Sequence, residues 1–179
     1  LTQAGYKVVN MDYPSRSASI EKLSDDAIGL AVEDCQRHGA TTIHFVTHSL
    51  GGILVRSYLA RHSIPNLGRV VMLGPPNQGS EIVDKLGSLW LFKKINGPAG
   101  SELGTDENST PNRLGPANFC VGVIAGRCSI NWINSGLIPG RDDGKVSVER
   151  TKLAGMTDHI VIASAHPFLM RNRTAIRQT

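Results

Sequence analysis

The sequence predicts an α/β fold, a mostly parallel sheet flanked by helices, and three observations carry that expectation. Short apolar runs alternate with segments of helical spacing along nearly the whole chain, the pattern of strands joined by crossover helices. The runs are close to continuously apolar, without clean in–out alternation, as expected of strands covered on both faces. One of them, "TIHFV" (42–46), passes through Thr47-His48-Ser49-Leu50-Gly51-Gly52 straight into a helical pattern. A buried strand rarely enters a helix through one serine beside glycines unless the turn has a purpose.

The elements follow in order. "YKVVNM" (6–11) reads as a strand ending near Asp12, and residues 19–37 carry Ile20, Leu23, Ala27, Leu30 and Ala31 at helical spacing before Gly39 closes the segment. "TIHFV" is the second strand, and "LGGILVRSYLARH" (50–62) is a helix apolar on several faces, suited to packing under a sheet. "RVVML" (69–73), "FCVGVIAG" (119–126) and "HIVIA" (159–163) are the remaining strands. "PFLMRNRTAIRQ" reads as a closing helix that docks Phe168, Leu169 and Ile176. Residues 76–118 interrupt the rhythm, and an interval this long inside a compact domain is usually functional. Its cluster Leu89, Trp90, Leu91 and Phe92 reads either as a short core helix or as part of a small lid, placed at 80–118.

Composition bounds the function. The 179 residues are 40% hydrophobic and 19% charged, with a net charge of +4, which describes one folded domain and not a disordered chain. Lysines and arginines are scattered along the sequence, so no basic run marks a nucleic-acid partner. No apolar stretch approaches the roughly 20 residues that cross a bilayer. Cys35, Cys120 and Cys128 match no zinc spacing and read as buried free thiols, which leans towards a cytoplasmic setting over a periplasmic or secreted one. The opening "LTQAG" reads as the last turn of a helix capped by Gly5, so the expectation is of a domain incomplete at its N-terminus.

Ser49 on a sharp strand-to-helix turn would stand clear of the sheet edge, with a helix N-terminus behind it to stabilise negative charge. Such a turn strains the serine backbone and demands small neighbours two residues away. Gly51 meets the demand on one side, whereas Thr47 stands where glycine is usual. A nucleophilic serine needs a base, and the base needs an acid to orient it. Downstream, "PGRDDGKVSVE" (139–149) offers Asp142 and Asp143, and "ASAHPF" (163–168) offers His166, both just past strand C-termini, the edge at which open α/β sheets bind ligands. Asp143 is the preferred acid because Gly144 lets its loop fold back, and Asp142 is the alternative. Among the six histidines, His38 and His62 lie at helix C-termini, His44 within a strand and His159 at the start of one. His48 reads as packing or hydrogen bonding at the elbow. Only His166 sits on a loop free to reach the serine.

With those residues in place, the sequence resembles the α/β-hydrolase superfamily, in particular the small bacterial serine esterases and lipases. "GYKVVNMDYPSR" resembles the strand and loop before that fold's first long helix, and "FVTHSLGGILVR" resembles its nucleophile elbow. "VVMLGPPNQGSE" resembles the segment after the following strand, "DDGKVSVE" the acid loop, and "DHIVIASAHPFL" the histidine loop. The resemblance implies hydrolysis of carboxylic esters, small-molecule or lipid, through an acyl-enzyme. Ser49 would attack, His166 carry the proton, Asp143 orient it, and the Leu50 N–H serve as one oxyanion donor. It implies no metal or organic cofactor, and Asp84 and Asp106 form no recognisable calcium loop. A second oxyanion donor in this family comes from a His-Gly loop after an earlier strand, one that lies between "YKVVNM" and "TIHFV" in the sheet. "RHGA" (37–40) is wrongly placed to be that loop. A thioesterase or acyltransferase on the same three residues, and an inactive hydrolase-fold domain, are the alternatives.

Overall fold

The structure, a computed structural model, describes residues 1–87 and 90–179, with the side chains of 91–95 outside the description. Four strands, β1 (Ile43–His48), β2 (Leu67–Leu73), β3 (Val121–Gly126) and β4 (Asp158–Ile162), form one sheet in that order, every neighbouring pair parallel. Because the order in space equals the order in sequence, each connection crosses back over the sheet and brings all strand C-termini to one rim. His48, Leu73, Gly126 and Ile162 mark that rim.

Each β-branched run supplies both faces at once. Ile43, Phe45, Val70, Met72, Val121 and Val123 point to one side and pack with Val32 and Val55. Leu73, Ile124 and Ile162 point to the other and pack with Leu169 and Ala175. The strands looked non-alternating in sequence because both sets are apolar.

The first helical segment begins at α1 (Ile20–Ser24), where Ser19 caps the Lys22 N–H at 3.4 Å, passes through a wider π-turn at Asp25–Gly29, and continues as α2 (Leu30–Arg37). Gly39 at φ 71° ends it. The helix after the elbow, α3 (Leu50–Leu59), buries Ile53, Leu54 and Val55 completely, each worth about 1.5–3 kcal/mol of apolar burial. Ile53 and Leu54 meet Ile20 and Leu23 of α1 and Ala99 of the helix Trp90–Ser101 in a second core.

Four expectations change. Residues 6–11 form no strand; Tyr6 and Val8 are exposed, the Tyr6 N–H donates to Leu1 O at 3.3 Å and its ring meets that of His44 edge-on at 5.9 Å. Among the described residues the segment is paired with no strand, and an unpaired run gains nothing from strand geometry. The C-terminal helix is broken into a 3₁₀ stretch, His166–Arg171, and a helix, Arg173–Gln178, because Asn172 leaves the helical region to cap Thr174 and Ala175. Of its expected core residues Leu169 is fully buried, while Phe168 and Ile176 face solvent. The cysteines are free as expected, but Cys120 and Cys128 are exposed. In the expected lid cluster Leu89 lies outside the described residues, as do the side chains of Leu91 and Phe92, and Trp90 is exposed.

A buried arginine ties the long 76–118 connection to α3. Arg56 is 4% exposed, and its guanidinium donates to Asn77 O and Oδ1 at 3.0 and 3.2 Å, to Pro111 O at 2.9 Å and to Gly115 O at 2.8 Å. Asn77 in turn donates to Thr151 O at 2.8 Å, which carries the tie on to the turn following the two aspartates. Burial pushes the guanidinium pKa down to about 10, so the group stays charged at neutrality with amide oxygens as its acceptors. Arg56→Met strips four acceptors of their donor and is expected to cost about 3 kcal/mol or more, read as a lower urea midpoint. Arg56→Lys, which cannot reach all four, is expected to fall between.

Candidate active site

At the end of β1 the chain turns so sharply that Ser49 takes φ 54° and ψ −124°, the only positive φ outside glycine among the described residues. A non-glycine residue held there stores on the order of 1–3 kcal/mol of strain. The Ser49 N–H donates to Leu73 O at the end of β2, 2.9 Å away, so the turn is pinned to the neighbouring strand. Leu50 opens α3, and its N–H belongs to the helix-end donors that have no intrahelical acceptor. Thr47 fits where glycine is usual, since a Cβ on Gly51 would stand 3.5 Å from Thr47 Cβ, ordinary contact. The tight approach is one residue further on: a Cβ on Gly52 would come within 3.2 Å of Pro75 and 3.3 Å of Met72 Sδ.

Asp143 and His166 meet on the same rim. His166 Nδ1 lies 2.7 Å from Asp143 Oδ2, and both side chains are nearly inaccessible. Asp143 Oδ1 accepts the backbone N–H groups of Lys145 and Val146 at 3.0 and 2.9 Å, the Gly144 turn bringing them round. The His166 N–H also donates to Asp143 O at 2.8 Å. Asp142 points away: its Oδ1 accepts from Ser135 Oγ and the Gly144 N–H, both at 2.7 Å, and so shapes the turn. Of the two aspartates, Asp143 is the one beside the histidine.

His166 Nε2, the other ring nitrogen, is buried and without a hydrogen-bond partner among the described residues. It lies in the company of the elbow. The rings of His48 and His166 are 4.6 Å apart at 45°, and His48 Nε2 lies 3.0 Å from His166 O. Gly74, next to the Leu73 carbonyl that holds Ser49, lies under the acid–base pair: a Cβ there would come within 3.0 Å of Asp143 Oδ2 and 3.1 Å of His166 Nδ1. Asp143 and His166 are thus paired on the rim where Ser49 follows β1, with the Leu50 N–H beside the serine, and among the described residues no hydrogen bond joins Ser49 to His166 Nε2. Burial holds His48 below the ordinary imidazole pKa, and the neighbouring His166 adds to the effect.

Gly74 is the one residue here that sequence reasoning missed, although "MLGPP" carries a signal for it, a glycine at a strand's end before two prolines. His48, read as packing or hydrogen bonding beside Ser49, does both, but the sequence does not show that its partner is the His166 carbonyl.

Neither a family model nor a curated protein matches the sequence. Solved structures do match in shape. A mature lipase from Bacillus licheniformis is 19% identical over 86% of this chain and 69% of its own, with a TM-score of 0.68. Phospholipase PlaB from Legionella pneumophila is 20% identical over 84% of this chain and 40% of its own, with a TM-score of 0.63. The fold is that of the α/β-hydrolases. A lipase-esterase related protein from Clostridium acetobutylicum, 14% identical over 97% of this chain and 78% of its own at a TM-score of 0.54, shares this α/β-hydrolase arrangement. The chain thus spans two fifths of the phospholipase and more than two thirds of the other two.

Two predictions follow from the geometry. Gly74→Ala forces a methyl between Asp143 and His166 at a backbone of φ 55°, and is expected to abolish the low-field proton resonance of their hydrogen bond while the far-UV spectrum persists. Acid stability is the second. His48 and His159 both have lowered pKa values, chiefly through burial, so near pH 6.5 the unfolded chain binds protons that the folded one refuses. Their contribution is whole above that pH and is lost as the pH falls through the folded values. Melting temperature should decline from about pH 7 to 5, less steeply in His159→Gln.

Proposed function

We propose that the protein is a serine hydrolase that cleaves carboxylic esters with apolar acyl groups through an acyl-enzyme. One observation carries the proposal: a buried Asp143–His166 pair whose remaining ring nitrogen has no partner among the described residues, on the same rim as a serine held at positive φ. Ser49 Oγ attacks the ester carbonyl while His166 Nε2 takes its proton. The carbonyl oxygen, now anionic, is met by the Leu50 N–H and the positive end of α3. The C–O bond to the alcohol breaks as His166 returns the proton to the leaving oxygen. Water then enters by the same route in reverse order, its proton passing to His166 and back to Ser49, releasing the acid. Asp143 keeps the proton on Nδ1 and stabilises the imidazolium formed at each step.

The surroundings favour apolar acyl groups. Ile130, Trp132, Ile133, Phe168 and Met170 are exposed near this rim, Trp132 by 82%. Ile130, Ala165 and Phe168 border an open cleft of about 470 Å³, which Arg171 and Asn172 also line, and Ala165 precedes His166 in the chain. Its neighbours in shape include proteins named lipase and phospholipase.

Incubation with a fluorophosphonate should label Ser49, and Ser49→Ala should take no label. Asp143→Asn is expected to lower nitrophenyl-ester kcat by about 10³–10⁴, with Asp142→Asn far milder, and Phe168→Ser to raise KM for long acyl chains more than for acetate. A folded protein that neither takes the label nor turns over esters overturns the proposal.

A further inference from the structure

We infer that His48 is a positioning residue for the proposed reaction, tying the His166 peptide to the strand that carries Ser49. The inference rests on the hydrolase reading and concerns how the base is held.

Three anchors hold His166, and they differ in origin. Its N–H donates to Asp143 O at 2.8 Å, and its Nδ1 pairs with Asp143 Oδ2 at 2.7 Å. Both fix the histidine to the acid loop. The third joins its carbonyl to His48 Nε2 at 3.0 Å, and His48 is the last residue of β1, directly before the serine. A carbonyl only accepts, so His48 Nε2 carries the proton. The neutral ring then has Nδ1 bare, which spares the adjacent ring a second cation when His166 itself is protonated. The tilted contact between the rings at 4.6 Å restrains the same approach. The groups bearing on His48 electrostatically are His166, Asp143 and Lys145.

The consequence is a division of labour. Asp143 sets the orientation of the imidazole, and His48 sets its distance from the hydroxyl. A displacement of an ångström between reacting groups can cost up to two orders of magnitude in rate. Removing one neutral hydrogen bond that restrains such a distance should cost about tenfold. The loss should fall on kcat, because substrate binding does not use this bond.

The test compares wild type, His48→Leu and His48→Gln. The glutamine amide nitrogen reaches about where Nε2 stands and donates without titrating. His48→Leu should lower kcat and the fluorophosphonate labelling rate by about tenfold with KM within about twofold. His48→Gln should recover most of the loss. In all three the low-field proton of the His166–Asp143 bond should remain, since that pair is anchored separately. Nitrogen NMR of the wild type should show His48 protonated at Nε2. Unchanged kinetics in His48→Leu, a His48→Gln as impaired as His48→Leu, loss of the low-field proton in either, or the opposite tautomer overturns the role while leaving the hydrolase reading standing. A wild type that takes no label overturns that reading, and the role with it.

Discussion

The hydrogen bond between Asp143 and His166 is the buried polar interaction around which the rim is built, and its setting explains its form. A carboxylate with almost no solvent access loses hydration worth several kcal/mol, and it survives as an anion only if its lone pairs are used. Asp143 meets the condition with two backbone N–H groups on Oδ1 and the imidazole on Oδ2. Those backbone donors come from residues two and three positions ahead, which requires the chain to double back at Gly144, φ 98°. The same low-polarity setting that makes the carboxylate costly strengthens its attraction to an imidazolium.

The sheet supplies the geometry that the loops use. Parallel strands in sequential order deliver the ends of β1, β2, β3 and β4 to one rim, and each end contributes one piece: the elbow, the Leu73 carbonyl with Gly74, the space under Asp143, and the histidine loop. Gly126 shows how closely these pieces fit, since a Cβ there would stand 2.8 Å from Asp143 Cβ. The Arg56–Asn77–Thr151 chain braces the long connection against α3 and the acid loop from behind. The rim is thus held by backbone and by buried polar ties and not by the exposed ion pairs, such as Lys22–Asp26, which add little.

Much of this was legible in the sequence for physical reasons. β1 through β4 and α3 are apolar runs whose burial decides their structure, and local pattern tracks burial. The glycine that favours Asp143 over Asp142 in the sequence is the one that turns the chain back, and Asp143 is hydrogen-bonded to His166. The segment 6–11 failed for the complementary reason. "YKVVNM" has strand composition, yet a strand exists only through a neighbour's hydrogen bonds, and composition says nothing of neighbours. Phe168 and Ile176 failed because apolar character was equated with burial, although much of any protein surface is apolar. His48 was read as packing or hydrogen bonding, and it does bond, but its partner could not be named because that partner is a backbone carbonyl 118 positions away, and a carbonyl leaves no mark in a sequence.

Two buried side-chain atoms among the described residues have no hydrogen-bond partner, Glu81 Oε2 and His166 Nε2, and comparing them separates packing from chemistry. The Glu81 carboxylate is engaged through Oε1, which accepts from Arg150 Nε at 3.1 Å and Ser147 Oγ at 3.4 Å. Its second oxygen is the remainder of a group already paired. His166 Nε2 is different, because the ring's other nitrogen is committed to Asp143 and Nε2 is its one remaining site for a proton. Leaving a buried nitrogen unpaired costs about 1–3 kcal/mol, and the strain at Ser49 is of similar size. A fold under selection for stability alone could remove both by replacing two side chains, whereas here both stand at the same rim beside a helix N-terminus. The proposed hydrolysis gives both costs a use, the strained serine as the attacking group and the unpaired nitrogen as its base, whereas packing gives them none.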